Sequence, residues 1–221
     1  MKKPVMPVPI PDRVAAGRVL AVRLAGWRGR DAVVLALPRG GVPVAWEIAR
    51  ELQLPLDLLL VRKLGLPGHA EYAMGAIAEG GVRVLNAGGA SRIAAATLEQ
   101  VTAREQRELE RRARLYRGTR PEPSLAGRAV LLVDDGLATG STMAAALAAV
   151  RARQAGHVVV VAPVGSREAI AWLAAQADEV VCPLVPDVLA SIGEWYRDFP
   201  QTGDAEVQAL LRQAWSRPSP P

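Results

Sequence analysis

At 221 residues, half of them hydrophobic and 22% charged, the chain has a globular balance and the length for one domain with a substantial core. The net charge of +5 suits anionic ligands and also permits nucleic acid, while the single cysteine, Cys182, excludes an intrachain disulfide and fits a reducing compartment. No run of 18 apolar residues suggests a membrane span, and Met1 to Asp12 carries four prolines in place of a signal-peptide core, so a soluble cytoplasmic protein is expected.

In chain order, Arg13 to Ala25 predicts an opening helix and Ala32 to Leu37 a buried strand. Pro38-Arg39-Gly40-Gly41 then turns into a helix from about Val42 to Leu52, and Leu56 to Val61 predicts a second strand. Regular alternation stops over 62–127. There, Tyr72 to Ile77 and Val82 to Leu85 predict a hairpin joined by Ala78-Glu79-Gly80-Gly81, and Ser91 is a candidate N-cap for a helix running to about Arg117. Its first half carries Ile93, Leu98 and Val101. Its second half is Arg-rich with interleaved Glu, including Glu108/Arg112 and Glu110/Arg114, which favours a solvated or interface helix over a nucleic-acid surface. Ala129 to Val133 is a third strand, Met143 to Ala155 a helix, Val158 to Val164 a fourth strand, Arg167 to Gln176 a helix, and Glu179 to Cys182 a fifth strand. The ends, 1–11 and 216–221, are Pro-rich and expected to be poorly ordered. This pattern predicts an α/β fold, a doubly wound and mostly parallel five-stranded sheet in one domain over 1–221. Segments 12–61 and 128–184 form its core, 62–127 an insertion, and 185–215 a C-terminal hood.

The most informative stretch follows the third strand. Asp134 and Asp135 end the apolar run, a small-residue loop follows, and a helix begins. Such a loop presents backbone N–H groups that can hold a phosphate, and two adjacent carboxylates can accept hydrogen bonds from sugar hydroxyls, directly or through Mg²⁺. The pair describes a ribose 5-phosphate site. Gly136 to Thr142 lacks the Lys of a P-loop, no strand precedes G-x-G-x-x-G, and G-x-S-x-G is absent. In a doubly wound sheet both this loop and the Pro38-Arg39-Gly40-Gly41 turn open onto the ligand crevice.

Val133-Asp134-Asp135-Gly136-Leu137-Ala138-Thr139-Gly140-Ser141-Thr142 resembles the phosphoribosyl-pyrophosphate (PRPP) signature of type I phosphoribosyltransferases. The resemblance implies transfer of ribose 5-phosphate from PRPP to a nitrogenous acceptor with release of pyrophosphate. It assigns Asp134 and Asp135 to the ribose hydroxyls and Ala138, Thr139, Gly140, Ser141 and Thr142 to the 5-phosphate. It implies Mg²⁺ held mainly by the substrate, touching Asp134 and Asp135 at most. Pro38 to Gly41 resembles the family's pyrophosphate loop, which gives Arg39, Gly40 and Gly41 that role and suggests a cis peptide at Pro38–Arg39 or Arg39–Gly40. Arg62-Lys63 through Glu71-Tyr72 resembles the mobile catalytic loop, most like that of the adenine enzymes. Arg62 or Lys63 would close over pyrophosphate, with Glu71 as a candidate acid or base and His69 as a candidate helper. Ala138 stands where the hypoxanthine-guanine enzymes carry an Asp, a second likeness to the adenine enzymes. In the hood, Trp195, Tyr196 and Phe199 are candidates to stack on a flat acceptor or simply to plug the hood. Most of residues 10–210 also resembles a group of predicted bacterial phosphoribosyltransferases with no assigned acceptor.

Two readings stay open. The first is an enzyme whose partners are PRPP and a small heterocyclic acceptor. The second is a non-catalytic PRPP- or nucleotide-binding regulator of the same fold. Arg62-Lys63 and Glu71 favour catalysis, and no helix-turn-helix extension is evident. A homodimer is compatible with either, and neither involves a membrane.

Overall fold

A computed structural model describes residues 4–66, 69–85 and 94–217. The elements are α1 (Arg13–Arg23), β1 (Ala32–Ala36), α2 (Gly41–Leu52), β2 (Leu56–Leu58), β3 (Val61–Leu66), β4 (His69–Ala78) and β5 (Val82–Leu85). They continue with α3 (Ala95–Arg117), β6 (Ala129–Val133), α4 (Ser141–Ala152), β7 (His157–Val161), α5 (Arg167–Ala174), β8 (Glu179–Val181) and α6 (Asp204–Trp215). Asp12 caps α1 by accepting the Ala15 N–H at 2.7 Å, and Ser166 caps α5 by accepting that of Ala169 at 3.1 Å.

Five parallel strands form the main sheet in the order β2-β1-β6-β7-β8. The central strands β1 and β6 are apolar throughout because both their faces are covered. Val34, Ala36, Leu131 and Val133 share one core with α1, α2, α3 and α6, while Val33, Leu35, Val130 and Leu132 share another with α4 and α5. Strand order reverses between β1 and β6, whose register runs from Ala32 opposite Ala129 to Ala36 opposite Val133. That reversal is the topological switch point where doubly wound sheets bind ligands. The predicted α/β fold is therefore correct. No helix among the described residues is long and apolar enough to cross a membrane.

The expectations fail where the chain leaves this sheet. Leu56 to Val61 is not one strand. β2 ends at Leu58, and Leu60 is held instead by Glu79, whose carboxylate accepts the Leu60 N–H at 3.2 Å and whose N–H donates to the Leu60 carbonyl at 3.2 Å. β3 then starts a second, antiparallel sheet, β3-β4-β5, so much of the expected mobile loop is strand and β4 begins at His69 instead of Tyr72. Ser91 and Ile93 lie outside the described residues, and the described helix opens at Ala95. The C-terminal helix α6 was not anticipated. The N-terminal stretch is not loose from residue 6 onward. Met6 and Ile10 are buried, and Ile10 exchanges backbone hydrogen bonds of 2.8 Å with Trp195 and Arg197.

The charged half of α3 also packs more deeply than expected. The Glu108–Arg112 pair forms at 2.8 Å on its surface, but Arg117 is 7% exposed. Its guanidinium donates to Asp57 at 3.0 Å and to the Leu58 carbonyl at 3.0 Å, and it pairs with Glu79, itself buried. Burial disfavours its charge, but the hydrogen bond to Glu79 and the charges of Asp57 and Glu79 outweigh that, so its pKa is raised. Arg117→Met leaves two buried carboxylates without a counter-charge. We expect a loss of about 3–5 kcal/mol in urea unfolding, as for other broken buried pairs; a loss under about 1 kcal/mol would show that water already screens the cluster.

Candidate active site

The carboxyl ends of β1 and β6 meet at the switch point. Asp134 follows Val133 directly, and its N–H donates to the Val161 carbonyl at 3.1 Å. Its Oδ1 accepts the Asp135 N–H at 2.9 Å. Burial, and then the neighbouring Asp135 charge, raise the Asp134 pKa well above the usual carboxylate range. Asp135 is anchored differently. Its Oδ2 accepts a hydrogen bond from Nε of Arg13 at 2.8 Å and lies in ion-pair contact with Nη2, also at 2.8 Å. Arg13, the first residue of α1, also donates to the Pro200 carbonyl at 2.7 Å, and its guanidinium lies 3.8 Å from the Phe199 ring centre.

The small-residue loop is open where a phosphate would need it. Ala138 and Thr139 are exposed, and Gly140 has a φ of 72°, a left-handed conformation that glycine adopts without strain. No side chain caps α4. Of its first-turn N–H groups, that of Ser141 reaches Thr139 Oγ1 at a long 3.4 Å, while those of Thr142 and Met143 have no partner among the described residues, with the positive end of the helix dipole behind them. Thr139 and Ser141 hydroxyls lie 2.9 Å apart at its rim, and Ser166 Oγ fixes the loop by donating to the Ala138 carbonyl at 2.7 Å.

Facing this loop, Pro38–Arg39 is a cis peptide. The two glycines after it are required by close approach: a Cβ on Gly40 would sit 1.9 Å from Asp135 Oδ2, and one on Gly41 would sit 2.6 Å from the Val133 carbonyl oxygen. Their missing side chains thus make room for the acidic loop itself. Arg39 lies 3.5 Å from Asp204, which accepts the Tyr116 hydroxyl at 2.6 Å. Burial, and then that hydrogen bond, push the Tyr116 pKa up to about 12. Arg13, Arg39, Gly40, Asp135, Phe199 and Thr202 line an open cleft of about 470 Å³.

An acidic strand end and a Gly-Gly turn thus share one cleft, and the acidic loop leads directly into the start of α4. Residues 11–185 match the phosphoribosyl transferase domain. The chain belongs to that family. It is 49% identical over 205 residues, 92% of its length, to "Putative phosphoribosyl transferase Rv0571c" and "Putative phosphoribosyl transferase MT0597" of two Mycobacterium tuberculosis strains. The match covers 46% of those proteins, so the chain spans about half the length of the curated relatives it matches. A crystal structure of TT1426 from Thermus thermophilus superposes with a TM-score of 0.83 at 46% identity, over 91% of this chain and 97% of that one.

Within this phosphoribosyl transferase domain the other candidates are scattered. Arg62 and Lys63 occupy consecutive positions of β3 and so point to opposite faces. Arg62 is bound by Glu105 at 2.9 and 2.6 Å and, with Pro38, Arg112 and Thr142, borders a cavity of only about 20 Å³. Lys63 is exposed. His69 and Glu71 lie on β4, and their side chains are outside the described residues. In the hood, Tyr196 is buried and donates its hydroxyl to the Asp135 carbonyl at 2.7 Å, with its ring against Phe199. Trp195 lines a separate hollow with Val8, Pro9 and Val188. Of the three aromatic candidates, only Phe199 borders the cleft. Sequence reasoning missed Arg13, Tyr116 and Asp204, because an Arg opening a helix looks like any surface Arg until its carboxylate partner is found.

No cluster of three or more His, Cys, Asp or Glu occurs among the described residues that could cage a metal alone. The donor set at the strand end is carboxylate oxygen, which suits a hard cation shared with a phosphorylated ligand. Gly40→Ala must displace the Asp135 carboxylate. We expect about 1–3 kcal/mol of destabilisation from the overpacking, read by urea unfolding; wild-type stability would mean that the two loops separate freely.

Proposed function

We propose that the chain transfers ribose 5-phosphate from PRPP to a nitrogenous heterocycle and releases pyrophosphate, with Mg²⁺ carried by the substrate. The observation that carries this reading is the convergence of Asp135, Arg39 and Gly40 on one cleft at the switch point, with the start of α4, which its N-cap residue Gly140 leaves without a side-chain cap, following Asp135 along the chain. In phosphoribosyl transfer, cleavage at the anomeric carbon leaves positive charge on the sugar and builds negative charge on pyrophosphate. A catalyst must fix the sugar, stabilise the leaving group and exclude water.

Here the N–H groups and hydroxyls of 138–142 would grip the 5-phosphate, and the carboxylates of Asp134 and Asp135 would orient the ribose hydroxyls. Arg39 offers a planar fork to the departing pyrophosphate once Asp204 releases it. Bound Mg²⁺ would supply charge neutralisation on the pyrophosphate. Ala138 offers no proton, so acceptor proton handling falls to another group, with Glu71 as the candidate. The β3–β4 hairpin carries Lys63, which would close over the leaving group. The remaining space beside Phe199 is where a flat acceptor would lie, in a cytoplasmic protein that works on free metabolites.

The direct test is incubation with PRPP, Mg²⁺ and a panel of bases, scored for pyrophosphate release. Turnover with one base is expected; tight PRPP binding with no turnover would select the regulator instead. Asp134→Asn with Asp135→Asn should abolish PRPP binding in calorimetry while leaving the circular dichroism spectrum intact. Full PRPP affinity in that variant would remove the site assignment. Lys63→Ala should lower kcat by on the order of 10²-fold, as loss of a leaving-group cation does, while PRPP affinity changes little. Equal losses in both would refute a closing role.

A further inference from the structure

Arg13 is the best-satisfied charged side chain at the site, and the transfer chemistry above gives it no role. It is 9% exposed. One edge of its guanidinium binds Asp135 Oδ2 through Nε and Nη2, a third nitrogen binds the Pro200 carbonyl, and its face covers the Phe199 ring. A guanidinium held on its edge, its end and its face has no freedom to follow a ligand. Both contacts with Asp135 end on Oδ2, so Oδ1 is the oxygen that Arg13 leaves to other partners. After burial, the Asp135 charge is what most disfavours ionisation of the adjacent Asp134, and Arg13 opposes that effect.

The same few residues join the hood to the acidic loop. Tyr196 donates to the Asp135 backbone carbonyl at 2.7 Å, and Pro200 receives Arg13. Gly136, the next residue, lies so close under Ile192 of the hood that a Cβ there would come within 2.4 Å of Ile192 Cγ2. Among the described residues, Arg13 is thus the one side chain that grips both the carboxylate and the hood.

We propose that Arg13 is a positioning residue: through Asp135 it fixes which carboxylate oxygen meets the ribose, and it ties that orientation to the seating of the 196–200 hood segment. This rests on the ribosyl-transfer reading. Arg13 does not touch substrate; it acts through Asp135. A lysine would return the charge at one point but neither the two-nitrogen grip nor the flat stack on Phe199. The carboxylate would then be attracted but not oriented.

The test compares the full chain with Arg13→Met, Arg13→Lys and a control, Val158→Ala, which opens a cavity at the amino end of β7, the end away from the Val161–Asp134 hydrogen bond. Melting temperature and the dissociation constant for PRPP with Mg²⁺ are measured for each. Arg13→Met should weaken PRPP binding tenfold or more, and Arg13→Lys should fall between it and the wild type while melting close to the wild type. Val158→Ala should melt lower yet bind PRPP within twofold of the wild type. Should Arg13→Met fail to fold, Arg13→Lys decides alone. Wild-type affinity in Arg13→Lys, or affinity that simply tracks melting temperature across all variants, would overturn the positioning role. Absence of PRPP binding by the wild type would instead remove the ribosyl-transfer reading, and this role with it.

Discussion

The contact between Gly40 and the Asp135 carboxylate sets the geometry of everything around the cleft. β1 and β6 are hydrogen-bonded neighbours to their last residues, and the Leu37 N–H still donates to the Val133 carbonyl at 2.9 Å beyond the strand. The loops that leave these two strands therefore begin within one strand spacing of each other, about 4.8 Å. No side chain fits between them, which is why both Gly40 and Gly41 lack one. The consequence is chemical. An arginine-bearing turn and an acidic turn are forced onto the same few ångströms of surface, and neither can withdraw without unpairing the centre of the sheet.

Such crowding of charge needs internal balance, and the site has it. Arg13 is matched to Asp135, Arg39 to Asp204, and Arg62 to Glu105. The pairs differ in what they can release. Arg13–Asp135 is mostly shielded from water and anchored at its far end by Pro200, so it behaves as scaffold. Arg39–Asp204 is half exposed and spans 3.5 Å, a weak contact that a phosphate oxygen can displace at little cost. Arg62 is intermediate, bidentate toward a buried Glu105 but itself about a third exposed. In the proposed transfer, this gradient would put the fixed pair at the sugar end and the exchangeable cation at the leaving-group end, where negative charge builds.

The sheet and the acidic loop were legible in the sequence because both depend on local rules. Ala129 to Val133 must be a buried strand in any compact arrangement, and Gly-containing small-residue loops before a helix have few uses. The long-range partners were not legible. Arg13 and Asp135 are 122 residues apart, and Arg117 is 60 from Asp57 and 38 from Glu79. Nothing in the spacing of a charged helix says which of its arginines will be covered. The Leu56–Val61 run failed for a related reason. A nearly continuous apolar run looks like one strand, and the break at Leu59–Leu60 comes from Glu79, which no local pattern connects to them. The aromatic hood was half legible: an aromatic-rich stretch was correctly set beyond the fifth strand, but which ring borders the cleft depends on the Tyr196–Asp135 hydrogen bond.

That break at Leu60 has its own logic. The hairpin sheet is joined to the core at one end by Val61 and Ala78, whose neighbours Leu60 and Glu79 are locked together by a backbone and a side-chain hydrogen bond. Arg117 reaches the same point from α3 and binds Glu79 from the other side, with Asp57 as the second carboxylate. The root of the hairpin is therefore fixed to both the main sheet and the long helix by buried charge. Beyond it the strand register shifts twice between Leu64 and Leu66, and irregular pairing of that kind bends a hairpin. Any closing movement proposed for Lys63 would have to pivot on this root, which the Arg117 cluster ties to β2.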